Sequence, residues 1–140
     1  MQKHPINAYH EKLTYSPEML YSEWNKIAER FADLIKGGWA NETVLDLIDH
    51  IKNSKYSSEF YPGSSLGRLL ISKPENGKLN YQRTLSVETK MNEKEIVLEY
   101  SDWDTINDKS ENPVLWRTEC QPENLIEKFD EFIKWNKNWC

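Results

Sequence analysis

The spacing of apolar residues changes twice along this chain, and the two changes limit the folds open to it. Across residues 20–35 apolar side chains recur every three or four positions, which is the spacing of one helix face. Across residues 79–100 they alternate with polar side chains, as in a strand with one buried face. The helical spacing returns over residues 125–133. The pattern predicts an α+β domain with helices before and after a sheet.

Capping residues mark where the predicted helices begin and end. Ser16-Pro17 opens the first helix, because Ser can accept a hydrogen bond from a free first-turn amide and Pro suits the first helical position. Gly37-Gly38 ends it. Asn41 caps a second, shorter helix that ends at Asn53-Ser54, and Pro122 opens the last one. In these helices Trp24 lies on the apolar stripe, whereas Trp135 and Trp139 are four apart and could lie side by side.

Four strands are predicted between the helices, over residues 65–72, 79–88, 96–101 and 114–119. Residues 55–63, which end in Phe60-Tyr61-Pro62-Gly63, are expected to be irregular. Pro74-Glu75-Asn76-Gly77 is a strong turn signal, and Met91–Lys94 is a second turn. Short turns favour antiparallel neighbours. We therefore expect a single domain over residues 1–140, with 1–14 as a loosely ordered lead-in. Its predicted architecture is two N-terminal helices, a four-stranded antiparallel meander and a C-terminal helix, with the helices on one face.

Charge and composition limit the classes of partner. The net charge of −5 is uneven, because residues 99–140 carry 10 acidic and 5 basic side chains. Nucleic-acid and anionic-membrane binders need a basic surface, so the balance favours a basic protein partner instead. No signal-peptide or membrane-helix pattern is visible, and Cys120 and Cys140 suit free thiols in a reducing compartment. We expect a cytoplasmic protein that is a monomer or a weak homodimer.

No catalytic or cofactor motif stands out. His4, His10 and His50 do not adjoin a cysteine or a nucleophile motif, so the favoured interpretation is three surface histidines. The glycine pair in residues 63–67 precedes a strand and lacks the Lys-Ser/Thr of a phosphate-binding loop. We expect no enzyme activity and no cofactor, although an enzyme with an unfamiliar site remains an alternative.

A metal site is the next possibility, because Asp102, Asp104 and Asp108 have the alternate spacing of calcium ligands. An EF-hand loop starting at Asp102 would need an acid or amide at position five and Glu at position twelve. Those positions hold Ile106 and Pro113, so no metal is expected.

The same acidic segment is the candidate partner-binding site. Tryptophan supplies contact area at low entropic cost, and carboxylates steer a basic partner. The alternative is a solvated loop with Trp103 in the core. The predicted partner-binding residues are Glu99, Asp102, Trp103, Asp104 and Asp108.

The runs at residues 79–87, 98–103, 115–120 and 125–133 together resemble small bacterial immunity proteins of polymorphic-toxin and contact-dependent growth inhibition systems. The part most alike is the Trp116-bearing strand before a helix with Phe129 and Phe132. The resemblance implies a cytosolic protein that binds and blocks one cognate toxin domain. Such toxins are often nucleases with a basic substrate-binding surface, which an acidic protein would suit. A small regulatory or adaptor domain that binds another protein is the alternative.

Overall fold

The structure is a computed structural model that describes residues 14–79, 81–89, 95–104 and 112–139. Within these residues the helices are α1 (Pro17–Lys36) and α2 (Thr43–Lys52), which precede the sheet, and α3 (Leu125–Trp135), which follows it. Short 3₁₀ turns lie at Lys55–Ser58, Pro122–Asn124 and Lys137–Trp139. The lead-in expected at residues 1–14 falls almost entirely outside the described part of the chain, and so does the turn expected at 91–94.

The sequence signals at the ends of α1 are confirmed. The Ser16 hydroxyl accepts a hydrogen bond from the Met19 amide at 3.2 Å, and Pro17 occupies the first position of the helix. At the other end the Gly37 amide donates to Asp33 O, and Gly38 has a φ of +82°. That backbone conformation is one that glycine adopts without a steric penalty, which explains the stop at this point.

Across the described ranges the sheet has five strands in the order β1-β2-β3-β4-β5, each antiparallel to its neighbours. Their bounds are β1 Tyr61–Ser65, β2 Arg68–Ser72, β3 Arg83–Glu88, β4 Ile96–Asp102 and β5 Val114–Cys120. The prediction of an antiparallel meander between N-terminal and C-terminal helices is confirmed.

The predicted count of four strands is wrong, because β1 lies where an irregular stretch was expected. Pro62 and Gly63 are rare inside strands and concealed it. Proline lacks the backbone N–H that a strand donates to its neighbour. It is tolerated in an edge strand because one side of that strand has no neighbouring strand to receive the bond. A tight turn at Leu66 and Gly67 then separates β1 from β2, so the strand expected from residue 65 starts at Arg68.

One face of the sheet and the helices share a single hydrophobic core. Burial alternates along β4, where Ile96, Leu98 and Tyr100 are buried and the residues between them are partly exposed. The core also confirms the assignment of Trp24, which is fully buried and donates from its indole nitrogen to Phe60 O at 2.9 Å. The largest buried side chains are Trp24, Phe31, Phe60, Phe129, Phe132, Leu47, Ile48 and Ile51.

The end of the chain folds differently from the expected continuous helix. Because α3 stops at Trp135, Trp135 and Trp139 do not share a helix. The Trp139 ring instead packs 5.0 Å from Phe60 and 5.3 Å from Phe132, measured between ring centroids. Trp139 is therefore a core residue, whereas Trp135 is half exposed.

Within the described part of the chain, α1, α2 and α3 are all too short or too polar to form a membrane-spanning segment.

Candidate functional site

The candidate segment starts at the end of β4, where backbone hydrogen bonds hold it against both neighbouring strands. The Asp102 amide donates to Pro113 O at 2.9 Å, just before β5. The next amide, that of Trp103, donates to Gln82 O at 2.8 Å, just before β3. The first residues of the predicted loop are therefore fixed to the sheet. Asp108 lies outside the described residues.

Asp102 is part of an ion-pair cluster centred on Arg83, which is its cross-strand partner in β3. The Arg83 Nε atom lies 3.3 Å from an Asp102 carboxylate oxygen and 3.6 Å from an Asp104 oxygen. The Nη1 atom of the same guanidinium lies 2.8 Å from Glu75. An Asp102 oxygen also accepts the Asp104 amide at 3.0 Å. Burial alone would lower the pKa of Arg83, but the three carboxylates together outweigh it and raise that pKa.

Exposure separates the two aspartates of this cluster. The Asp102 side chain is 9% exposed, whereas that of Asp104 is 40% exposed. Asp102 is thus built into the fold as a partner of Arg83, and of the two aspartates only Asp104 offers a carboxylate to the surface. One guanidinium serves three carboxylates here, so the cluster keeps a net negative charge, but Asp102 is too buried to present its share to a partner.

Glu99 lies apart from this cluster. The side chain alternation of β4 places it on the solvent face, whereas Asp102 belongs to the buried face. Its carboxylate lies 3.3 Å from Arg117 Nε on β5, and Arg117 also pairs with Glu119 at 2.8 Å. The hydrogen bond from Arg117 lowers the pKa of Glu119. The structure therefore does not bring Glu99 together with Asp102 and Asp104.

Large hydrophobic side chains are exposed at the same end of the sheet as Trp103. Tyr81, Trp103, Leu115 and Trp135 each expose between 46% and 55% of their surface. Antiparallel pairing places the start of β3, the end of β4 and the start of β5 together, and the Trp135 ring lies 6.1 Å from that of Tyr100. We call these four residues the Trp103 end.

The sequence left open whether Trp103 lies in the core or at the surface, and the structure places it at the surface. Trp103 is half exposed and is not a core residue, so it can contact a partner. Sequence reasoning missed Arg83 and the other three exposed side chains. The available signal was the alternation of β5, which puts Leu115 in phase with the polar residues Arg117 and Glu119.

A recess of about 380 Å³ lies beside the Arg83 cluster. Burial raises the pKa of the Tyr100 phenol in its wall. The Lys73 ammonium donates to Trp139 O at 3.0 Å, and Arg83 is engaged by its carboxylates. The cations that line the recess are thus already occupied by groups of this chain.

Two further titratable side chains, His50 and Cys120, lie away from the Arg83 cluster. His50 Nε2 lies 3.1 Å from Asp130, on the helical side of the molecule. Cys120 is a buried free thiol, and burial raises its pKa, which disfavours the reactive thiolate. Within the part of the chain that is described, no three His, Cys, Asp or Glu side chains lie close enough together to hold a metal ion.

Comparisons of the chain with protein-family models, with curated proteins and with solved structures find no significant match in any of the three.

Proposed function

We propose that this protein binds another protein through the Trp103 end, and that its partner is a bacterial toxin domain which it neutralises. The supporting observation is the half-exposed Trp103 at the end of β4, with Tyr81, Leu115 and Trp135 also half exposed near that end of the sheet, Leu115 and Trp135 on opposite faces of it. Exposed large hydrophobic side chains that occur singly are ordinary, whereas a group of them is typical of an interaction site. Aromatic residues are also enriched at the energetic centres of interfaces.

The position of Trp103 on the scaffold supports the same role. Its amide is bonded to Gln82 O, and the residue before it is anchored to Arg83 and to Pro113 O. An aromatic side chain held on a rigid sheet end loses little conformational freedom when a partner covers it. The Arg83 cluster acts as the support for this side chain.

The choice of a toxin as the partner rests on the resemblance to immunity proteins. Such a protein would occlude the toxin active site or a surface next to it. The chain carries a net charge of −5, which suits a partner with a basic surface such as a nuclease domain. A regulatory or adaptor protein would use the same surface but would not protect cells from a toxin.

Co-expression with the product of the gene directly upstream tests the proposal, because an immunity gene is expected to follow its toxin gene. We expect that the toxin arrests growth alone, that the chain restores growth, and that the two proteins copurify. Copurification without toxicity would instead favour the adaptor function. If the two proteins do not copurify and the chain does not restore growth, the immunity function is contradicted.

Asp104→Lys separates charge steering from aromatic contact. Because this carboxylate is 40% exposed, its reversal should slow association and reduce the salt dependence of the association rate. Asp102 does not suit this test, because its carboxylate is buried. Stopped-flow association rates at several salt concentrations would measure the effect. An unchanged rate would exclude Asp104 from partner steering.

A further inference from the structure

The two edges of the sheet are protected to different degrees. At β1 the helix α1 lies alongside, and Arg30 Nε donates to Ser64 Oγ at 2.6 Å. Pro62 also removes one backbone donor from that strand. At β5 no further described strand pairs with the outer side, and Val114–Cys120 contains no proline. An open edge strand is a template for pairing with another chain, and charged side chains or a bulge on it restrict which chains can pair there.

An irregularity in the ladder defines which part of β5 is regular. Tyr100 pairs with Trp116, but the next residue, Ser101, pairs with Val114. Leu115 is therefore an extra residue that bulges from the strand. The regular segment runs from Trp116 to Cys120, and its midpoint is Thr118.

The charged residues of the regular segment, Arg117 and Glu119, favour a second copy of this chain as the pairing partner. If two β5 strands pair antiparallel about Thr118, Arg117 of each copy lies opposite Glu119 of the second copy. Both residues are exposed on the solvent face. Opposite charges that face each other across strands stabilise the pair. A register centred on Arg117 would instead oppose two arginines.

Arg117 already pairs with Glu119 of its own chain at 2.8 Å, so pairing with a second copy would share these charges between the two chains. Glu95 and Glu119 lie together, and their hydrogen bond raises the pKa of Glu95. Arg117 of the second copy would add a positive charge beside this pair. The remaining pairs in the register are Thr118 with itself and Trp116 with Cys120, so no like charges oppose each other.

We propose that two copies of this chain associate through their β5 edges in the register centred on Thr118, forming one continuous antiparallel sheet. Because the paired strands run in opposite directions, the two Trp103 ends point away from each other. The dimer therefore presents two partner-binding ends at once. Self-association does not depend on the identity of the partner, so the two proposals can fail separately.

Charge reversal in the purified full chain tests the register. We expect the wild type to sediment as a dimer, and Arg117→Glu and Glu119→Arg each to weaken dimerisation by about tenfold or more. The double variant with both changes restores the opposite pairs between copies and should recover most of the affinity. Asp49→Arg changes the charge of an exposed helical position by the same amount as Glu119→Arg and should leave dimerisation unchanged.

A disulfide tests the same register directly. Directly opposite residues in antiparallel strands have Cα atoms about 4.5–5.5 Å apart, which is within reach of a disulfide. In a Cys140→Ser background, Thr118→Cys should form a covalent dimer under mild oxidation, whereas Arg117→Cys should not. A wild type that stays monomeric at its highest soluble concentration would overturn the proposal. So would a double charge reversal that fails to restore the dimer, or equal cross-linking by both cysteine variants.

Discussion

Replacing Asp102 with alanine measures how much the Arg83 cluster, which anchors the Trp103 end, contributes to the free energy of unfolding. The substitution removes a carboxylate that contacts Arg83 at 3.3 Å and accepts the Asp104 amide at 3.0 Å. Hydrogen bonds to charged groups contribute about 1.5–3 kcal/mol each. Arg83 keeps Glu75 and is 38% exposed, so water offsets part of the loss. We expect a decrease of about 2 kcal/mol in the free energy of unfolding.

Asp104→Ala is the matched control, because Asp104 approaches the same guanidinium from a more exposed position. An exposed ion pair contributes little, so this variant should lose about 0.5 kcal/mol or less. Urea unfolding followed by tryptophan fluorescence would measure both. With a slope of about 2 kcal/mol/M, Asp102→Ala should lower the midpoint by about 1 M. Equal losses in the two variants would refute the assignment of Asp102 as the structural carboxylate.

Two further predictions test the fold. Gly67→Ala should destabilise more than Gly38→Ala, by about 1 kcal/mol or more. Both glycines have a φ of +82°, but an added Cβ would lie 2.6 Å from Trp39 O at Gly67 and meet nothing within 4 Å at Gly38. Equal losses in urea unfolding would contradict this packing. Burial chiefly raises the pKa of Tyr61 above the ordinary 10.0, so the folded state holds this proton more tightly than the unfolded chain. That stability is present below pH 10.0 and is lost as the pH rises above it, so Tyr61→Phe should flatten the alkaline decline of the urea midpoint. An unchanged decline would exclude Tyr61.

The sequence predicted the elements whose local signals agree with the final structure. The caps and the apolar stripe of α1 specify a helix whatever surrounds it, and the alternation of β4 specifies its buried face. The missed strand β1 shows the limit of local signals, because Pro62 and Gly63 have low strand propensity. Its formation depends on pairing with β2, a tertiary interaction that outweighs local preference.

The candidate site was predicted only in part, for a similar reason. Glu99, Asp102 and Asp104 were identified from the sequence, but the pairing of Asp102 and Asp104 with Arg83, and of Glu99 with Arg117, depends on strand register. Register was not fixed by the sequence, because the connection between β3 and β4 contains no two-residue turn signal. The sequence also did not decide whether Trp103 is exposed, because the side chain of the residue that follows a strand can point toward the core or away from it.

The most direct test of the Trp103 end is a calorimetric titration of the proposed toxin partner with Trp103→Ala and Trp39→Ala. Trp39 is a matched control, because it is 59% exposed and packs against Gly67 at the opposite end of the sheet. Half of a tryptophan surface is about 125 Å², and burying it contributes about 3 kcal/mol, or about 100-fold in affinity. We predict a loss of that order for Trp103→Ala and almost none for Trp39→Ala. Wild-type affinity in Trp103→Ala, or an equal loss in Trp39→Ala, would contradict the proposed binding surface.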